Sequence, residues 1–165
     1  GVSRFNKFRY YEEVLLEKKL DAEKEKTLGE FFSKLVIDAV VAAPWVPGAK
    51  EFLDRYSNDI SLFVASGTPN DEIKEIVEKR GMSNYFISVH GTPDKKAEII
   101  NGICDRHGFD RKRVLMVGDA NADYEGAQLA NVRFLGRCQH RESLFPSEVQ
   151  LINDLRILPV LICQT

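Results

Sequence analysis

The chain has 165 residues, of which 44% are apolar and 29% charged, and a formal net charge of −2. These proportions describe an ordinary soluble globular protein and give no electrostatic reason to expect a nucleic acid or an anionic membrane as partner. No apolar run approaches membrane-spanning length, and no apolar stretch follows the basic residues Arg4 and Lys7, as a signal peptide would require. The three cysteines, Cys104, Cys138 and Cys163, are odd in number and far apart, which predicts reduced thiols of a cytoplasmic protein rather than disulfides or structural zinc.

Residues 1–43 are predicted to be helical. Phe8, Tyr11 and Leu15 recur at helical spacing, and so do Leu28, Phe31, Leu35 and Ala39. The charged stretch Asp21-Ala22-Glu23-Lys24-Glu25-Lys26 between them predicts a turn followed by a solvated first helical turn. Together these make a small helical hairpin, with Phe31 and Phe32 expected in the core. Pro44-Trp45-Val46-Pro47-Gly48 marks a boundary, because two prolines end the preceding helix and Gly48 can begin the next segment. Trp45 is expected to pack at this hinge.

From residue 44 to 165 strands and helices alternate. A helix over 49–56, with Phe52 in the core, precedes a strand over 60–65. A helix around 71–79 is expected to close at Gly81, a plausible C-terminal cap. A strand at 86–89, a helix over 95–107 and a strand at 113–117 follow. A helix over 123–130 and a strand at 132–135 complete the regular alternation. The tail is expected to add a helix near 148–154 and a last apolar strand at 157–162. This order predicts an α/β protein, a Rossmann-like parallel sheet covered by helices on both faces.

Two strands end in chemistry. Leu62-Phe63-Val64-Ala65-Ser66-Gly67-Thr68 delivers a hydroxyl and a run of backbone N–H groups at its carboxyl end, where fixed donors can hold a phosphate oxygen. Taken alone, Ser-Gly-Thr-Pro is a common turn, and Thr68 could equally cap the next helix. Val114-Leu115-Met116-Val117-Gly118-Asp119 continues into Ala120-Asn121-Ala122-Asp123. Two carboxylates four residues apart in a strand-to-helix turn can face a common point. Mg²⁺ is held by one or two such carboxylates plus substrate phosphate. The plainer reading has Asp119 ending a strand and Asp123 capping a helix. Between the two motifs, Lys95-Lys96 opens a helix and can supply a fixed positive charge to a phosphoryl group. Lys96 is the favoured residue, with Lys95 as its fallback. His90, His107 and His140 lack ligand spacing and are assigned no catalytic role.

The order Ser66, Lys96, Asp119, Asp123 resembles the motifs of the haloacid dehalogenase superfamily, whose members are mostly Mg²⁺-dependent phosphatases. Gly1-Val2-Ser3-Arg4 is similar to a cap segment of the β-phosphoglucomutase-like branch, which implies that Arg4 contacts substrate phosphate. Val46-Pro47-Gly48-Ala49-Lys50-Glu51-Phe52-Leu53 resembles the return from cap to core, and Gln128-Leu129-Ala130-Asn131-Val132 the helix and strand after the last motif. The resemblance implies a helical cap at 1–43 and a catalytic core at 44–165. Ser66, Lys96 and Asp119 would be catalytic, and Gly67, Thr68, Lys95 and Arg4 would bind phosphate or substrate. Asp119 would hold Mg²⁺, with Asp123 as a second ligand or just behind it. The substrate would be a small phosphorylated metabolite, hydrolysed through an aspartyl-phosphate. A phosphosugar mutase and a non-catalytic binding module on the same fold are the alternatives.

That family begins with a strand ending in Asp-x-Asp, whose first Asp is the nucleophile, and these residues contain no Asp-x-Asp. Ile37-Asp38-Ala39-Val40 lacks the second Asp and has helical surroundings. The resemblance places the absent strand between those carrying Ser66 and Asp119. Its absence would leave two strand edges facing a gap, which is costly if they are buried. The chain is therefore expected to be a truncated, inactive form. Otherwise the gap is closed by the 157–162 strand, or by strand exchange in a dimer.

Overall fold

The computed structural model describes residues 8–138 and 145–163. The chain divides into two compact units, Gly1–Ala43 and Pro44–Thr165.

The first unit is helical. Phe8 and Arg9 open a turn that continues as a π-helix over Tyr10–Leu15, and helix α1 spans Ala22–Ala42. The Asp21 carboxylate accepts the Lys24 N–H at 2.8 Å and caps α1. Arg9 pairs with Glu25 at 2.7 Å, and Lys24 pairs with Glu12, tying the two segments together. The apolar stripe expected to be buried is not the one that is. Phe31 is 63% and Leu35 53% exposed, and Phe32 is exposed as well, whereas Gly29 and Ile37 are buried. Gly29, Ser33 and Ile37 form one i, i+4 row, and α1 carries apolar residues on more than one side of it. A helix paired with one short segment buries a single stripe, so the other stripe is left outside. Asp38 lies exposed on this helix.

The second unit is α/β, as its alternation predicts. Its elements are α2 (Ala49–Tyr56), β1 (Phe63–Pro69), α3 (Asn70–Lys79), β2 (Ser88–Thr92) and α4 (Lys96–His107), then β3 (Leu115–Gly118), α5 (Asn121–Leu129), β4 (Arg133–Arg137), β5 (Leu151–Ile152) and α6 (Leu158–Cys163). Helix α3 ends as expected at Gly81, whose φ is +66°. The Gly81 N–H donates to the Glu78 carbonyl and the Met82 N–H to the Val77 carbonyl, the paired bonds of a Schellman motif. In the boundary segment, the Arg80 guanidinium lies 4.8 Å over the Trp45 ring.

The tail departs from expectation twice. The helix expected near 148–154 is instead β5, which pairs in parallel with Gly136 and Arg137. This pairing buries Ile152 and satisfies β4's outer edge, since Cys138 N–H donates to the Ile152 carbonyl at 2.9 Å. The expected strand at 157–162 is α6. Pro159 has no N–H for a strand ladder but fits a first helical turn. That segment therefore does not close the sheet.

The strands form two hydrogen-bonded groups, β1–β2 and β3–β4–β5, all parallel. Among the described residues no ladder joins β1 to β3. Residues of both strands are half-buried, apart from the exposed Gly67, rather than the fully buried runs expected of central parallel strands. A strand with one unpaired edge loses cover on that side. Helices cover both faces of the β3–β4–β5 group. Val114, Met116 and Phe134 pack on Ile100, Cys104, Ala127 and Ala130 of the α4–α5 side. Leu115, Val117 and Leu135 pack with Phe52, Ile152 and Leu158 on the α2–α6 side. This is the period-two alternation of a sheet covered on two faces.

Candidate active site

The carboxyl ends of β1 and β3 carry the motifs, and α4 connects them. Lys95 is the N-cap of α4, and its backbone N–H is accepted by Glu98 Oε2 at 3.0 Å. That start leaves the Lys95 side chain in solvent and turns Lys96 inward, where its side chain is 16% exposed. The Lys96 ammonium donates to the Ala65 carbonyl, within β1 and just before Ser66. It also lies 2.8 Å from Asp123 Oδ1 in the first turn of α5. One lysine thus links β1 to α5, the helix that follows β3.

Asp123 is buried, and both of its oxygens are engaged. Oδ1 meets Lys96, and Oδ2 accepts the Ala120 N–H at 3.2 Å, capping α5. The helix-cap reading of Asp123 therefore holds together with an ionic one. Two glycines let the pair form. A β-carbon at Gly118 would overlap the Asp123 side chain, and one at Gly126 would overlap Lys96 Cβ.

Asp119 stands just past β3 with 67% of its side chain exposed, and Arg137 Nη1 lies 4.0 Å from its Oδ2. Ser66 is half-buried on β1, and its Oγ accepts the Thr68 N–H at 3.1 Å. The hydroxyl proton remains for another acceptor. Gly67 is exposed beside it. Arg4 lies outside the described residues, as does His140.

The other singled-out side chains fall elsewhere. His107 ends α4 and stacks on Phe109 with centroids 5.3 Å apart. His90 meets Ser88 Oγ at 2.7 Å, and burial holds its imidazole below the usual histidine range. It lines a cavity of about 630 Å³ along β2 and α3, with Asn70, Lys74 and Asp94, whose lining includes neither Lys96 nor Asp123. Burial pushes the Cys104 thiol up, which keeps it protonated and unreactive.

The donor set suits a hard cation only in part. Among the described residues no group of three or more His, Cys, Asp or Glu side chains converges. Asp119 offers a largely exposed carboxylate, while Asp123 is buried and bound to Lys96. One carboxylate with space for water and a phosphate oxygen is within the range that Mg²⁺ accepts.

Residues 7–137 match the family model of haloacid dehalogenase-like hydrolases. The chain belongs to that family. Phosphoglycolate phosphatase of Aliivibrio fischeri is 26% identical over 117 residues, covering 66% of this chain and 52% of that protein. The chain spans about half the length of the curated relatives it matches. A crystal structure of a Clostridium difficile protein assigned as a phosphatase superposes with a TM-score of 0.75 at 23% identity, covering 98% of this chain and 78% of that one. A Thermotoga maritima protein assigned as a β-phosphoglucomutase gives 0.74 at 24% identity, with the same coverage. Both likenesses show the fold alone, a parallel α/β core flanked by helices.

Sequence reasoning singled out Lys96 and Asp123 separately but not their pairing, because residues so far apart in sequence give no local signal of contact. Arg137 was missed. The available signal was a basic residue ending the strand that follows the GDxxxD strand.

Proposed function

We propose that the chain carries the phosphate-orienting part of a Mg²⁺-dependent phosphatase site that acts on a small phosphorylated metabolite in the cytoplasm. The observation that carries this reading is the Lys96 ammonium, held by the Ala65 carbonyl of β1 and by Asp123 of α5, the helix that Asp119 precedes in the chain. Its curated relatives include phosphoglycolate phosphatases.

In this reading Ser66 Oγ–H and the Gly67 N–H hold one phosphoryl oxygen, and Lys96 neutralises charge on another. Lys96 moves no proton, and Asp123 keeps its ammonium aimed. A Mg²⁺ ion held by Asp119 would supply further charge neutralisation on the transferring group. The family's attacking carboxylate belongs to an Asp-x-Asp strand, and none is present in these 165 residues. We infer that a carboxylate from outside them forms the new bond to phosphorus as the bond to the substrate oxygen breaks, and that water then releases phosphate. The chain alone is then inactive or nearly so.

The test is Mg²⁺-dependent hydrolysis of p-nitrophenyl phosphate by this chain, beside a form fused to an upstream Asp-x-Asp strand. Activity is expected only in the fused form, and only with Lys96 and Asp119 intact. Activity of the short chain that Asp119→Ala abolishes would show that a different nucleophile operates. Silence of the fused form toward a panel of small phosphate monoesters would count against a phosphatase.

A further inference from the structure

We propose that Arg137 is a positioning residue, the internal counter-ion of Asp119 that a divalent cation must displace. This inference rests on the reading of Asp119 as a cation ligand. Arg137 ends β4, and β4 pairs with β3 in register at Gly118 and Gly136. The residues that follow each glycine, Asp119 and Arg137, therefore emerge side by side at the carboxyl edge of the sheet. The Arg137 side chain is 21% exposed, much less than Asp119. Its position is fixed from behind, because Nε donates to the Asn153 carbonyl at 3.4 Å. Nη1 then faces Asp119 Oδ2 at 4.0 Å.

The sign of the effect follows from charge. A guanidinium beside a carboxylate favours its ionised form but repels a second cation approaching the same oxygens. Asp154 lies close enough for the Arg137 charge to act on it, adding to the larger effect of Arg156, which keeps that carboxyl ionised. Arg137 thus weakens cation binding in the free protein and balances the Asp119 charge until the cation arrives. A residue with only a scaffolding role would do the opposite, since its loss would loosen Asp119 and weaken binding.

The experiment titrates Mn²⁺ into this chain at low ionic strength and follows paramagnetic broadening of the backbone amide signals of Gly118 to Asn121. Arg137→Gln and Arg137→Met are expected to tighten the Mn²⁺ Kd about two- to fivefold, the range for a partly exposed ion pair. Arg137→Lys should stay close to the parent, and Asp119→Asn should remove the broadening. Unchanged or weaker binding in both charge-removing variants, with Asp119→Asn still abolishing it, would overturn the role of Arg137 while leaving the cation site intact. Broadening that survives Asp119→Asn would overturn the cation reading, and this inference with it.

Discussion

The Lys96–Asp123 pair sets what the site can do. Both side chains are largely removed from water, at 16% and 9% exposed. Removing one partner of such a pair strands a buried charge, which costs about 3 kcal/mol or more, whereas replacing both with apolar groups can be nearly neutral. Lys96→Met and Asp123→Leu are each expected to lower unfolding stability by about 3 kcal/mol, and the double variant should recover most of that loss. Urea denaturation of the four proteins reads the cycle. Purely additive losses would mean that the two groups are held independently. At this scale the sequence was informative about identity and silent about geometry. Ser66, Lys96, Asp119 and Asp123 were legible because each sits at a strand end or a helix start, where local pattern marks the position. That Asp123 serves Lys96 and the α5 cap together was not legible, since the pairing depends on how α4 and α5 pack.

Between elements, that packing rests on Gly126. The α4 and α5 helices approach closely enough that a β-carbon at Gly126 would overlap Lys96 Cβ, an atom next to the backbone that cannot swing aside. Gly126→Ala is therefore expected to cost about 1–3 kcal/mol, the range for overpacking a close contact, despite alanine's better helix propensity. It should also shift the amide signals of Lys96 and Asp123 in a ¹⁵N-correlation spectrum. A stabilised variant with unmoved signals would mean that the helices can part without cost. Element identity was readable wherever period and punctuation agreed, as in α2 behind Pro47-Gly48 and α3 before Gly81. It failed where apolar residues were dense and undirected. In α1 they occupy several faces, so periodicity named a stripe that lies exposed. In the tail, Ile157 to Ile162 reads as a strand by composition, but Pro159 decides for a helix.

At the level of the whole molecule, the two strand groups are the feature that most needs a physical account. β1 pairs only with β2, and β3 only with β4, among the described residues, so each keeps one edge of backbone donors and acceptors without a ladder. Lys96 links β1, through Ala65, to Asp123 of α5, but one ammonium cannot satisfy two strand edges. A parallel strand between them would pair both edges and bring its own carboxyl end beside Ser66 and Asp119. A synthetic peptide with an apolar run ending in Asp-x-Asp-Gly-Thr is therefore expected to bind there. At about 100-fold excess over its Kd it should stabilise the chain by about 2.7 kcal/mol, read as a rise in Tm. It should also bring Mg²⁺-dependent hydrolysis of p-nitrophenyl phosphate, which Lys96→Met removes. A scrambled peptide of the same composition should do neither. If the matched peptide leaves Tm unchanged, the edges of β1 and β3 are not a strand site, and their polar groups are satisfied by water. If Tm rises without hydrolysis, the added strand completes the sheet without completing the chemistry, and the fold and the reaction must be argued separately.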